Sequence, residues 1–275
     1  MIAYTINGRR AELHHGDALA VLPQLGGALE SLIRPSASGQ GPDWTAESRP
    51  TLAGPFAAVV MDPPYASGAA TLAGKQASTA HKYTATKAAC PLPDFEGDAM
   101  DQHCWLGWMT DLLRAARLRC IEGAVLCAFT DWRQLPTLTD AMQRAGWCWR
   151  GVAVWDKRNS RPQRGRFRQQ AEFIAWGSNG HLPASRGVDV LPGVLSYTQQ
   201  MTNARLHQTQ KPLELMRQIV RICAPGGVIL DPCAGSGSTL LAAALEGYDS
   251  VGVEITDKYY EIAAERLRQA AEDTP

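Results

Sequence analysis

Residues 227–239 read Gly227-Val-Ile-Leu-Asp231-Pro-Cys-Ala-Gly235-Ser-Gly237-Ser-Thr239. Val228–Asp231 has the length and apolar character of a buried strand, and a helical run, Thr239–Glu246, follows the glycines. Glycines let the backbone approach a ligand closely, and a helix start offers N–H groups without partners. The next strand, Val251–Glu254, ends in a carboxylate, and a carboxylate there can accept from both hydroxyls of a ribose. A nucleotide-like ligand follows. An NAD fingerprint would put a third glycine at 240, where Leu240 stands, and a P-loop would need Gly-Lys-Ser/Thr, which is absent. This stretch alone leaves open a tight βα turn that holds nothing.

Outward from this turn the pattern repeats. Strands are predicted at Ala57–Met61, Ala124–Phe129, Gly151–Trp155 and Glu172–Trp176. Helices are predicted at Asp101–Cys120, Leu135–Ala145, Pro212–Cys223 and Asp257–Ala271. Short apolar strands alternating with helices predict an α/β fold with a doubly wound, mainly parallel sheet. Ligands of such sheets bind beyond the carboxyl ends of the strands. Three stretches lack periodicity: a loop insertion at 31–55, a long loop at 66–97 and a Gly/Pro/Ser/Asn-containing segment at 177–206.

Asp62-Pro63-Pro64-Tyr65 follows the first of these strands. Two prolines make a stiff turn with no N–H of their own, and a purely structural turn is the plain reading. The chemical reading uses each group. The amino nitrogen of adenine or cytosine is a poor nucleophile, because its lone pair is delocalised into the ring. Asp62 and the Pro63 carbonyl could accept its two hydrogens and favour a tetrahedral nitrogen with a freed lone pair. Tyr65 offers a face for an extruded base, worth about 1–3 kcal/mol. The work is done by preset electrostatics without a covalent intermediate.

Asp-Pro-Pro-Tyr at 62–65, with Asp-Pro-x-x-Gly-Ser-Gly-Ser-Thr at 231–239, resembles the amino-group DNA methyltransferases that use S-adenosylmethionine. His207-Gln-Thr-Gln-Lys-Pro212, Gly16-Asp17 and the run from Val-Trp-Asp-Lys-Arg to Gln-Gln-Ala-Glu at 154–172 also match, so the likeness runs from about residue 13 to 268. The catalytic motif precedes the cofactor loop, as in the β group of that family. The resemblance implies a seven-stranded-type methyltransferase sheet in a single catalytic domain over 1–275, bacterial or phage-like in character. It implies a target-recognition segment at 177–206 and a role in restriction–modification.

Residue by residue, the resemblance assigns catalysis to Asp62, Pro63, Pro64 and Tyr65. It assigns the cofactor loop to Asp231, Pro232, Cys233, Ala234, Gly235, Ser236, Gly237, Ser238 and Thr239. Glu254 would take the ribose hydroxyls, Ile255 the adenine ring and Asp17 the adenine amino group; His207, Thr209 and Lys211 would lie toward the methionine end. Cys233 stands where the family usually has Phe, which makes the pocket floor looser, and Ser238 is a smaller departure. A Pro-Cys pair can suggest a cytosine-C5 nucleophile. Cys233 sits inside the cofactor loop, and such chemistry has no use for Asp-Pro-Pro-Tyr, so a small apolar thiol is the better reading.

The 275-residue chain is 45% hydrophobic and 20% charged, enough for a core and too apolar for disorder. Its net charge is zero, yet residues 144–221 hold 13 Lys/Arg against 4 Asp/Glu. One basic block in a neutral chain points to a polyanion on one face. Lys157, Arg158, Arg161, Arg164, Arg166 and Arg168, with Phe167 among them, are assigned to double-stranded DNA, chiefly its phosphates. A base inside a duplex must be flipped out for this chemistry, and the 66–97 loop is placed to close over it. The six residues of 177–206 best suited to base edges are Arg186, Arg205, Asn179, Asn203, Gln199 and Gln200, too few for a long target. Asp62 favours adenine over cytosine, since cytosine-N4 enzymes of the resembling family often carry Ser there. A non-catalytic DNA-binding protein on the same fold is the rival of another class. The odd set of seven cysteines reads as reduced thiols in a cytoplasmic protein. No metal site, signal peptide or membrane span is expected, and a homodimer is compatible with the family.

Overall fold

The computed structural model describes residues 1–25, 56–66, 100–160, 162–198 and 211–274. The 31–55 insertion, the 66–97 loop beyond Ala66, and Arg161, 199–206, His207 and Thr209 lie outside the described residues. The strands are β1 (Ile2–Ile6), β2 (Arg9–His15), β3 (Phe56–Met61), β4 (Cys120–Thr130), β5 (Cys148–Asp156), β6 (Ala171–Ser178), β7 (Val194–Ser196), β8 (Val228–Asp231) and β9 (Asp249–Glu254). The helices are α1 (Ala18–Val21), α2 (Gln102–Arg117), α3 (Leu135–Arg144), α4 (Leu213–Val220), α5 (Ser238–Leu245) and α6 (Asp257–Glu272).

Among the described residues the strands form one sheet in the order β1-β2-β9-β8-β3-β4-β6-β5-β7. The run β2-β9-β8-β3-β4 is parallel, β6 is antiparallel to both neighbours, and β1 and β7 close the two edges. This is the mainly parallel methyltransferase-type sheet expected, extended by a strand at each edge.

β3 is buried along its whole length because helices cover both faces. Its alternation sorts the core. Val59 and Met61 pack with Trp105, Met109 and Leu113 of α2 and with Leu138 of α3. Ala58 and Val60 pack with Leu215, Met216 and Ile219 of α4 on the other face. A third cluster seals α5 and α6 against the first hairpin through Ile6, Leu13, Leu240 and Leu267. Asp101 starts α2 as its N-cap, accepting from the backbone N–H of His103 and Cys104.

The sequence reading passed over β1 and β2. Asn7 and Gly8 join them with φ of +50° and +70°, the left-handed pair of a tight hairpin turn. β5 is also longer than expected, since Cys148 and Trp149 continue its pairing with β6 beyond an irregularity at Arg150. Among the described residues no helix is long and apolar enough to cross a membrane.

From β3 the chain winds one way to β4; from β8 it winds the other way to β9. The direction reverses between β3 and β8, and there the crevice beyond the carboxyl ends opens. Asp62 follows β3 and Asp231 ends β8, so the two motifs flank that crevice.

Candidate active site

The glycine turn is built from β8 outward. Asp231 Oδ1 accepts the backbone N–H of Cys233 at 3.0 Å, which folds the chain back. Gly235 and Gly237 take φ of +52° and +75°, conformations that side chains resist. Gly237 caps α5, and its Cα faces Ala263 of α6 so closely that a Cβ would lie 3.3 Å from that methyl. Leu240 occupies the place of a third glycine. The close approach of helix to sheet comes instead from the strand side, where a Cβ on Gly252 would fall 2.7 Å from Leu240 Cδ1.

Glu254 is buried at the end of β9, and both its oxygens are held by backbone: Oε2 accepts from Gly235 at 2.7 Å and Oε1 from Thr256 at 2.8 Å. Burial raises its carboxyl above the ordinary range against those two bonds. Beside it Ile255 is 46% exposed, an apolar surface at the rim of the crevice. Asp17 Oδ1 caps α1 through the Leu19 N–H at 2.9 Å, and Gly16 ties that turn to β9 by donating to the Glu254 carbonyl at 2.9 Å.

Four acidic groups from separate motifs surround one thiol. Burial, then Asp231, Glu254, Asp62 and Asp17, push Cys233 well above the usual thiol range. A thiol so placed stays protonated, which removes the nucleophile reading on physical grounds. Burial likewise lifts Asp231 to about 7.

The catalytic turn is fixed from below by Trp105, whose indole Nε1 donates to the Pro64 carbonyl at 2.7 Å. Asp62 is held at both oxygens: the Tyr65 hydroxyl lies 2.8 Å from Oδ1, and Lys211 Nζ lies 2.6 Å from Oδ2. Lys211 is 5% exposed and also reaches Glu172 Oε1 at 2.8 Å. The Tyr65 hydroxyl is 2.6 Å from the same Glu172 oxygen, and its single proton serves one carboxylate at a time. Lys157 Nζ closes the network on Glu172 Oε2 at 2.5 Å. Burial opposes the charge on Glu172, but Lys211 and Lys157 bring its carboxyl down to about 2. Burial raises Asp62 while Lys211 pulls it the other way, and the net direction is up.

Two expected residues have partners that their motifs did not suggest. Lys211, expected toward the methionine end of a cofactor, is an ion-pair partner of Asp62 and Glu172. Lys157, grouped with the phosphate contacts, is spent on Glu172 and covers the Trp155 ring at 5.3 Å. Arg158, Arg164, Arg166 and Arg168 are exposed, and Phe167 is 95% exposed. Of the base-reading candidates, Asn179 donates to the carbonyls of Cys120 and Ile121 and Arg186 donates to that of Ile222. Both serve the fold. Two groups escaped the sequence reading. Glu172 was read as the first residue of a strand and the last of the matching run 154–172, with no role in the site. Trp132, half exposed after β4 with Arg133 stacked on it at 4.6 Å, carried no motif.

The sequence profile of the family described as DNA methylase, covering N6 and N4 enzymes, matches residues 56–187 and 185–265. The chain belongs to the N6/N4 DNA methylase family. YubD of Escherichia coli K12, described as a methylase, is 28% identical to this family member over 148 residues, 53% of the chain and 63% of YubD. The chain thus spans less than two thirds of the length of the curated relatives it first matches. Two solved structures share the fold. The M1.HpyAVI–SAM complex superposes with a TM-score of 0.60 at 18% identity, covering 94% of this chain and 98% of that one. The cytosine-N4-specific PvuII DNA methyltransferase gives 0.61 at 14% identity, covering 95% and 91%.

Proposed function

We propose that this methylase-family chain, a β-group enzyme by its motif order, transfers a methyl group from S-adenosylmethionine to the N6 amino group of adenine in double-stranded DNA. The target sequence is short or loosely specified. The observation that carries the reading is the placement of Asp62, held at both oxygens, across the switch-point crevice from the glycine turn.

The crevice suits the cofactor. Glu254 keeps lone pairs free beside its two backbone bonds, and these would take the ribose hydroxyls. Ile255 would pack on the adenine ring and Asp17 would accept from its amino group. When bound, S-adenosylmethionine supplies an electrophilic methyl group on a sulfonium centre. Asp62 and the Pro63 carbonyl then accept the two hydrogens of the target amine, leaving its lone pair aimed along the crevice. The Pro64 carbonyl is already taken by Trp105, so the turn does not shift as the base enters. The Tyr65 ring would stack on the flipped base, and Arg158, Arg164, Arg166 and Arg168 would hold phosphates.

Transfer to cytosine N4 is the second reading, supported by the fold likeness to the PvuII enzyme. An aspartate at position 62 favours adenine. The test is incubation with unmethylated DNA and labelled cofactor, digestion to nucleosides, and identification of the labelled base. Label on N6-methyladenine supports the first reading, and label on N4-methylcytosine the second. Cofactor binding without transfer to any DNA would overturn both and leave a non-catalytic DNA-binding protein.

A further inference from the structure

Glu172 lies at the end of the 154–172 run, outside both Asp-Pro-Pro-Tyr and the glycine turn, yet it contacts both groups that hold Asp62. Its Oε1 lies 2.6 Å from the Tyr65 hydroxyl and 2.8 Å from Lys211 Nζ. These are the same two atoms that fix Asp62 Oδ1 and Oδ2. Glu172 is the first ladder pair but one of a strand hydrogen-bonded to both neighbours, and it is buried, so it does not move independently of the sheet.

The charges matter as much as the positions. Methylation of an amine passes through a nitrogen that carries positive charge until it loses a proton. Asp62 stabilises that charge. Lys211, 2.6 Å from Asp62 and buried, opposes it. A carboxylate at Glu172 cancels Lys211 from the far side, so the crevice faces the amine with the field of Asp62. Lys157 in turn balances the second oxygen of Glu172.

We infer that Glu172 is the positioning residue of the reaction: it aims Asp62 and the Tyr65 ring through their shared partners and neutralises Lys211 at the reacting nitrogen. This rests on the amino-methylation reading above, and it concerns a residue to which that reading assigns no role, although the matching run 154–172 ends on it.

Among the described residues, the charged and titratable groups facing Asp62 are Tyr65 on its own turn, Lys211 ahead of α4, Glu172 on β6, Asp231 at the end of β8 and Cys233 just after it. Replacing Glu172 by glutamine removes one negative neighbour and leaves Lys211 uncompensated. Both changes favour ionised Asp62, so its titration must move to lower pH.

Two measurements on the full chain decide the matter. The first follows the Asp62 carboxyl carbon by NMR against pH in the resting protein, assigned by its loss in Asp62→Asn. The expected midpoint for Glu172→Gln is lower than that of the unsubstituted chain by about one unit. The second is steady-state methyl transfer, where Glu172→Gln should lower kcat by about ten- to a hundredfold with KM for the cofactor little changed. Glu172→Asp keeps the charge but cannot span both partners; it should lose kcat with the Asp62 titration held. An unmoved titration in Glu172→Gln, or kcat near the unsubstituted value in either variant, would overturn the inference. A chain that transfers no methyl group to any DNA would sink the proposed activity, and the titration would still decide the role of Glu172.

Discussion

Gly235 donates its backbone N–H to Glu254 Oε2 at 2.7 Å, so the glycine turn and the end of β9 behave as one piece. Glu254→Ala removes the charge-assisted acceptor proposed for the ribose and releases the Gly235 turn. Cofactor binding should weaken by about 1.5–3 kcal/mol, read by titration calorimetry. An unchanged dissociation constant would remove Glu254 from the cofactor site, and NAD should give no binding in the same cell.

Asp62→Ala should reduce methyl transfer to under about a tenth of the unsubstituted rate, at least 1.4 kcal/mol of lost transition-state stabilisation. Cofactor affinity should stay close to normal, because the turn that would hold the cofactor hangs from a different strand. A variant that transfers at more than a tenth of the normal rate would show that Asp62 is not the acceptor.

Arg164 and Arg166 are exposed, and neither side chain belongs to an ion pair among the described residues. Converting both to Ala should weaken binding to matched and unmatched duplexes alike. The slope of log K against log salt should become shallower by up to about 0.9 for each lost phosphate contact. A salt slope identical to that of the unsubstituted chain would make the basic run a bystander.

Burial lifts Asp231 to about 7, so its carboxyl is largely neutral at pH 6 and largely ionised at pH 8. A cationic cofactor binds more tightly beside the ionised form. Affinity should therefore rise with pH across this window, by on the order of tenfold, and Asp231→Asn should flatten the rise. Affinity that falls with pH in the unsubstituted chain would contradict the assignment.

Modified bases mapped across the genome of a host lacking its own methylation should be N6-methyladenine within a sequence of at most about four base pairs. Asn179 and Arg186 are committed to backbone carbonyls, which shortens the list of base readers further. A strictly required site of six or more base pairs would show that readers lie outside residues 177–206.

The parallel centre of the sheet was legible because β3, β4, β8 and β9 are apolar runs of strand length, each ending at a polar or acidic turn. The first hairpin was not read, because the exposed side chains of its strands weaken the apolar pattern around the Asn7-Gly8 turn. Asp62, Asp231 and Glu254 could be read because each follows or ends its own strand. The role of Glu172 could not, since it reaches Tyr65 across 107 residues of chain through the antiparallel pairing of β6 with β4. The ion-pair partner of Lys157 was hidden for a related reason. A run of like charges looks uniform in sequence, and only tertiary structure shows which member turns inward.

Asp17, Asp62, Glu172, Asp231 and Glu254 all lie along one end of the sheet, at or just past the ends of strands whose faces are packed with helices. Selection can then act on two registers separately. Under the proposed function, lengthening or exchanging the segments that join these strands would change which DNA is met without disturbing the floor where the methyl group would move. An engineer wishing to redirect such a chain to a new sequence would graft loops and leave the strands alone.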